Sequence, residues 1–190
     1  TLSVNQNFKY FRNSIGLDDS EGWDLQEAIF ISPFTYEKQV YLGIAKDLPL
    51  PDSHNFVDEF VKQLEEVLAI TQGRAFILFT SYRMLTQVVM LSRQLGLDTK
   101  YNFLVQGELP RTLMVDRFKT EVNTVLLGTD SFWEGVDVAG DALSMVIITR
   151  LPFRVPTDPI TVMRSEYIKA RGKNPFTEYY LPQAVLKFRQ

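Results

Sequence analysis

Apolar runs alternate with amphipathic segments through the middle of the chain. Residues 56–70 place apolar side chains at helical spacing with charged side chains between them, which predicts a helix that ends near Gly73. Continuous apolar runs predict strands that are buried on both faces. These runs lie at 74–79, 97–105, 122–127 and 143–149, and helical patterns lie at 83–95 and 110–119. Strands that alternate with helices are typical of an α/β fold with a parallel sheet.

The two ends of the chain carry weaker patterns. Residues 1–27 mix polar and aromatic side chains without a sustained period, and we interpret them as a lead-in segment. Short apolar runs predict one strand at 28–32, which Pro33 closes, and a second at 39–45. The tail is predicted to be mostly helical, with helices at 158–171 and 181–190.

The stretch 124–140 changes abruptly from apolar to polar at Gly128. The residues after Gly128 combine small side chains with two bulky aromatics and two carboxylates, a composition that suits a loop touching a ligand at the end of a parallel strand. The alternative is a plain connection between two strands, in which Trp133 fills a gap in the core. The pattern alone leaves both interpretations open.

Four polar segments follow the four predicted central strands. They lie at 80–82, 106–107, 128–137 and 149–150. In open parallel sheets, ligands bind beyond the carboxyl ends of the strands. We therefore expect these segments to lie along one edge of the sheet and to form the binding site.

Composition narrows the class of protein. With 190 residues and 45% hydrophobic content, the chain can bury one substantial core, so one compact domain is expected. The absence of cysteine excludes disulfides, iron-sulfur clusters and zinc-thiolate sites in this segment. His54 lies in a polar stretch, where exposure is a commoner role than metal binding. No apolar run approaches the length of a bilayer span and no leader opens the chain, so we expect a soluble, cytoplasmic protein with no membrane partner.

Charge is distributed unevenly along the chain. The net charge of -3 argues against a protein that coats nucleic acid by bulk charge. From Arg150 onward, however, the sequence contains eight basic residues and only three acidic ones. This excess is typical either of solvated helix faces or of a local basic surface.

Several catalytic motifs are missing from the sequence. It contains no Gly-x-x-x-x-Gly-Lys-Ser/Thr loop and no Gly-x-Gly-x-x-Gly turn, so neither common phosphate cradle is present. It also lacks a serine elbow and a histidine placed to act as a triad base. The chain alone therefore has no complete catalytic set.

Phe-Trp-Glu-Gly-Val-Asp-Val at 132–138 and Leu-Pro-Phe at 151–153 carry a resemblance to a known family. The sequence resembles the second motor domain of the DinG branch of the XPD/DinG helicases, a superfamily 2 group. Further matching segments lie at 32–34, 78–82, 105–107, 174–176 and 181–184. The ordered matches cover most of the chain.

The resemblance implies a RecA-like lobe, with a mostly parallel sheet flanked by helices and a helical tail, spanning residues 1–190. It implies ATP and Mg²⁺ that are held mainly by a first motor domain, and single-stranded DNA as the other partner. In the family, the last helicase motif follows the glutamine that matches Gln190, so we expect the chain to be truncated there and inactive by itself. The expected activity of the full-length protein is ATP-dependent DNA unwinding.

The resemblance also implies roles for individual residues. The catalytic positions are Glu134, Asp137 and Gln190. The nucleotide positions are Gly128, Thr129, Glu134, Gly135 and Asp137, and the DNA positions are Thr80, Ser81, Tyr82, Gln106, Trp133 and Arg150.

The physical properties of these residues are compatible with such roles. Hydroxyls at strand ends can bind phosphate oxygens without reading sequence. Tyr82, Phe132 and Trp133 could stack on bases, although large aromatics more often pack in the core. The three-residue spacing of Glu134 and Asp137 can put both on one side of a helical turn, where they could hold a ribose, a water or an arginine from the other lobe.

Two functions from different classes are compatible with the sequence. The favoured one is the second motor domain of an ATP-dependent DNA helicase. The alternative is a non-catalytic α/β module that binds a protein partner or a small phosphorylated ligand at the same edge of the sheet.

Overall fold

The computed structural model describes residues 2–17, 22 and 24–189. The chain divides into two compact units. One unit is Ala45–Leu151, and the other combines Thr1–Ile44 with Pro152–Gln190. All four polar segments predicted to form the site belong to the first of these units.

The helices and strands have the following bounds. The helices are α1 Lys9–Ser14, α2 Tyr36–Gln39, α3 Phe56–Thr71, α4 Tyr82–Gln94, α5 Leu97–Lys100, α6 Arg111–Thr120, α7 Pro159–Ala170 and α8 Leu181–Phe188. The strands are β1 Ala75–Leu78, β2 Asn102–Val105, β3 Thr124–Gly128 and β4 Met145–Ile148. Short 3₁₀ turns occupy Asp130–Phe132 and Gly140–Ala142, and a π-helical turn occupies Phe176–Tyr180.

The four strands form one sheet in the order β2-β3-β1-β4, and every neighbouring pair is parallel. The α/β class and the parallel sheet predicted from the sequence are therefore confirmed. β1 and β3, the two central strands, are buried at every position, which explains their continuous apolar sequence. The β4 edge strand is only partly buried.

The sheet separates two apolar clusters. Ala75, Ile77 and Phe79 point to one face and pack against α3 and α4. Phe76 and Leu78 point to the other face, where α6 and the segment after β3 cover them. Alternation along a strand thus builds the three-layer arrangement of helix, sheet and helix.

The predicted helix at 56–70 is confirmed as α3, and its end has a clear physical cause. Gln72 adopts a left-handed conformation, and Gly73 follows it with φ of +81°. A Cβ on Gly73 would lie 2.8 Å from the backbone carbonyl carbon of Asn123. Glycine is therefore needed both for the conformation and for the close approach of the chain before β3.

Two strands predicted before the central sheet, at 28–32 and 39–45, are wrong. Residues 28–32 have no regular secondary structure. Gln39 ends α2, and residues 40–45 follow it without forming a strand. Apolar side chains there remain exposed, including Phe30 at 92% and Tyr41 at 96%. An apolar run gives a segment the capacity to be a strand, but a ladder also needs a partner, and the described residues provide none for these segments.

The remaining elements agree with prediction except in detail. The strand predicted at 97–105 begins only at Asn102, because Gly96 turns the chain and buried Leu97 anchors the short helix α5. The helices predicted near 158–171 and 181–190 are confirmed as α7 and α8. The N-cap of α7 is Asp158, whose pKa is lowered because its carboxylate accepts the Thr161 N–H at 2.9 Å. Within the described ranges, no helix combines the length and apolar character needed to cross a bilayer.

Candidate functional site

The carboxyl ends of the four parallel strands share one edge of the sheet, as predicted. Residues 80–82 follow β1, residues 106–107 follow β2, and residues 128–137 extend from the end of β3. Thr149 and Arg150 follow β4. Spatial order differs from chain order, since the β3 segment lies between the segments that follow β1 and β2.

Gln106 connects three of these segments through its side-chain amide. Its carbonyl oxygen accepts hydrogen bonds from the backbone N–H and the hydroxyl of Thr129, the latter at 3.1 Å. Its NH₂ group donates to Ser131 Oγ at 3.1 Å and to the hydroxyl of Tyr82. The predicted DNA residue Gln106 thus contacts both the predicted nucleotide residue Thr129 and the predicted DNA residue Tyr82.

The aromatic residues in the site have two different environments. Phe132 and Trp133 are buried, and the Trp133 indole N–H donates to the Phe79 carbonyl oxygen at 3.1 Å. Both rings pack in the apolar cluster on this face of the sheet, and the assignment of Trp133 as a DNA contact stays a prediction. Tyr82, by contrast, is 58% exposed and keeps a face available to a ligand.

Gly128 lies against Phe132 at the end of β3. A Cβ at this position would lie 2.6 to 2.9 Å from Phe132 ring and Cβ atoms. The segment after β3 therefore folds back so tightly that a side chain at Gly128 would displace it. Here glycine is required by space, and not by an unusual φ.

Glu134 and Asp137 are both exposed, beyond the 3₁₀ turn Asp130–Phe132. They do not share one side of a helical turn, which their spacing would allow, because Gly135 adopts a φ of +66° and ends the helical geometry between them. Their carboxylates are still presented by one short segment at the carboxyl edge.

Arg111 is a site residue that the sequence interpretation missed. Its Nε donates to the Ser131 carbonyl oxygen at 3.0 Å, and its Nη2 donates to the carbonyl oxygens of Glu134 at 3.1 Å and Gly135 at 2.9 Å. The guanidinium carbon lies 5.6 Å from the Phe132 ring centroid. One signal was available: a cation in the first turn of α6 opposes the helix dipole, which suggests that it is held there by other contacts.

The segment after β4 is held by polar contacts of its own. The Thr149 hydroxyl donates to the Leu78 carbonyl oxygen at 3.1 Å. Arg150 Nη2 donates to Asp52 Oδ1 at 2.6 Å, so an acidic side chain already partners this predicted DNA contact. Arg150 Nε is buried and has no hydrogen-bond partner.

Two further predictions concern the catalytic set and the metal. Gln190 lies outside the described residues, so its assignment stays a prediction. Across the part of the chain that the structure describes, no three His, Cys, Asp or Glu side chains are grouped as a metal site.

Comparison with known proteins identifies the family to which the chain is similar. The family described as "Helicase C-terminal domain" matches residues 64–190. The chain is 35% identical over its whole length to the "ATP-dependent DNA helicase YoaA" of Escherichia coli and covers 29% of that protein. It is also 35% identical to the "3'-5' exonuclease DinG" of Bacillus subtilis and 34% identical to the "ATP-dependent DNA helicase DinG" of Photobacterium profundum.

These last two matches also span the whole chain, which covers 21% and 28% of the two relatives. The chain thus spans less than a third of the length of each of the three relatives. The family match covers well over half of the chain. The sheet of this chain has the parallel arrangement expected of a RecA-like lobe. This chain belongs to the helicase C-terminal domain family, in its DinG-type branch.

Proposed function

We propose that this chain is the second motor domain of an ATP-dependent DNA helicase, in which it completes the ATP cleft and contacts single-stranded DNA. The observation that carries the proposal is the Gln106 network. One amide side chain bonds to Thr129, on the nucleotide side, and to Tyr82, on the DNA side. Nucleotide and DNA contacts would then sit on segments that are mechanically connected.

The nucleotide side consists of the segment after β3. Gly128, Thr129 and Gly135 would let the backbone approach the nucleotide closely. Glu134 and Asp137 have exposed carboxylates. A carboxylate at this position can accept a hydrogen bond from a ribose hydroxyl or a water, or pair with an arginine from another lobe. The phosphate loop and the Mg²⁺ ligands would come from the first motor domain, and this chain would supply the opposite wall of the cleft.

The DNA side is centred on the start of α4. Ser81 caps this helix by accepting the Met84 N–H at 3.3 Å, and no acidic residue lies in its first turn. A helix N-terminus attracts anions, and hydroxyl groups can donate to phosphate oxygens, so Thr80 and Ser81 are suited to the DNA backbone. The exposed ring of Tyr82 could stack on a base.

The full-length protein that contains this chain should hydrolyse ATP faster when single-stranded DNA is added. The 190-residue chain alone should show no turnover above background, because it has no phosphate loop to hold the transferring phosphoryl group. Steady-state phosphate release with and without DNA measures both. ATP turnover that ignores DNA would overturn the motor proposal and favour a non-catalytic or unrelated binding role for this edge of the sheet.

Binding of single-stranded DNA by the 190-residue chain should be weak, independent of sequence and reduced by salt. The net charge is -3, and Asp52 already pairs with Arg150, so the chain can neutralise few phosphates. For about two phosphates, the slope of log K against log salt should be about -1.4. Fluorescence anisotropy at several salt concentrations gives this slope.

The same titration tests the assigned surface. Tyr82→Ala should weaken binding by about 1–3 kcal/mol if the ring stacks on a base. Val122→Ala is the matched control, because Val122 is an exposed side chain just before the amino end of β3, at the opposite edge of the sheet. Equal effects of the two substitutions would place the DNA elsewhere on the chain.

A further inference from the structure

One guanidinium organises the backbone of the segment that carries Glu134 and Asp137. Arg111 lies on α6, 20 to 24 residues before the three carbonyl groups that it bonds. Carbonyl oxygens that point toward one another repel because each carries partial negative charge. Their convergence therefore requires a hydrogen-bond donor between them. Arg111 provides that donor through two different nitrogen atoms.

The bonds lie where the segment changes direction. Two short-range backbone bonds hold the 3₁₀ turn, from Phe132 N–H to the Thr129 oxygen and from Trp133 N–H to the Asp130 oxygen. Past Trp133, the Arg111 bonds reach the carbonyls of Glu134 and Gly135, on either side of the left-handed turn. The guanidinium therefore stabilises the conformation that separates Glu134 from Asp137.

Arginine is suited to this contact in a way that lysine is not. The guanidinium is planar and presents several donors at fixed angles, so Nε and Nη2 can serve three carbonyls together. Its face also lies over the Phe132 ring, at 5.6 Å from the guanidinium carbon to the centroid. A lysine ammonium keeps the charge but cannot reproduce this fork and ring contact.

We propose that Arg111 is a positioning residue, which holds residues 131–135 in the bent conformation that presents the Glu134 and Asp137 carboxylates to the nucleotide cleft. This inference rests on the proposed function of that segment. Arg111 acts through the backbone that it bonds, and not through contact with ATP or DNA. Its charged guanidinium donates hydrogen bonds to backbone carbonyl oxygens of the same chain.

The test compares Arg111→Lys and Arg111→Gln with Arg117→Lys in the full-length protein. Arg117 is the matched control, since it lies on the same helix and its guanidinium pairs with Glu121, away from the segment after β3. Hydrogen–deuterium exchange is followed in a peptide that covers residues 129–137. Both Arg111 variants should exchange the Phe132 and Trp133 amides about tenfold faster, whereas Arg117→Lys should leave that peptide unchanged.

Kinetics separate positioning from simple loss of fold. In Arg111→Lys the DNA-stimulated kcat should fall by about tenfold, with a smaller change in KM for ATP, because misplaced groups lose contacts made mainly in the transition state. Unchanged exchange in both Arg111 variants would overturn the positioning role. Faster exchange with unchanged DNA-stimulated turnover would instead show that Arg111 holds residues 131–135. It would contradict the motor function proposed for Glu134 and Asp137.

Discussion

Replacing Trp133 with alanine is expected to destabilise the Ala45–Leu151 unit by about 3–5 kcal/mol. The indole is 6% exposed and belongs to the apolar cluster that includes Phe76, Leu78 and Phe118. Alanine would remove most of that buried surface and leave a cavity between the sheet and the segment after β3. Because domains are stable by only about 5–15 kcal/mol, the loss could unfold much of the population, and denaturant titration of the 190-residue chain would measure it.

Trp133→Phe separates packing from hydrogen bonding. Phenylalanine retains an aromatic ring but leaves the Phe79 carbonyl oxygen without the indole donor, which should cost about 1–3 kcal/mol at this buried position. Tyr82→Ala is a useful contrast, since Tyr82 is 58% exposed and its loss should affect stability much less. Normal stability in Trp133→Ala, together with lost DNA binding, would contradict core packing and restore base stacking as the role of this ring.

The central sheet could be predicted because burial and sequence pattern agree there. β1 and β3 are covered on both faces, so their apolar runs needed no information beyond the local sequence. The segments at 28–32 and 39–45 have similar apolar character, yet they lie exposed and form no strands. Local sequence records what a segment can bury, whereas strand formation depends on a partner that local sequence does not specify.

The position of the site in the fold could be predicted from the sequence, but the arrangement of its side chains could not. The parallel order of strands brings their polar exits to one edge, which is a rule of topology. The hydrogen bonds of the Gln106 amide, and those from Arg111 to the backbone carbonyls, depend on side-chain conformations and on distances across the fold. The spacing of Glu134 and Asp137 did not bring them to one side of a helical turn for a related reason. Such spacing implies proximity only while the backbone stays helical, and Gly135 interrupts it.

Replacing either Glu134 or Asp137 with its amide should reduce DNA-stimulated ATP hydrolysis and unwinding together in the full-length protein. Each amide keeps the size of the side chain and most of its hydrogen-bonding capacity but removes the charge. A loss of about 1.4 kcal/mol of transition-state interaction corresponds to about tenfold in rate. The two activities should fall in parallel because coupling requires an element whose state depends on both ligands, and Gln106 connects this segment to Tyr82.

Asp116→Asn provides the matched control for charge removal. Asp116 is exposed on α6, outside the edge where the four strands end, so its amide variant changes the net charge equally without touching the proposed site. All three variants should melt close to the parent protein, since exposed substitutions usually shift stability by about 0.5 kcal/mol or less. Comparison of thermal melts, DNA-stimulated phosphate release and strand separation then isolates the chemistry. If Glu134→Gln and Asp137→Asn turn over ATP and unwind DNA as Asp116→Asn does, the segment after β3 only connects two strands, and the cleft must be completed by other residues.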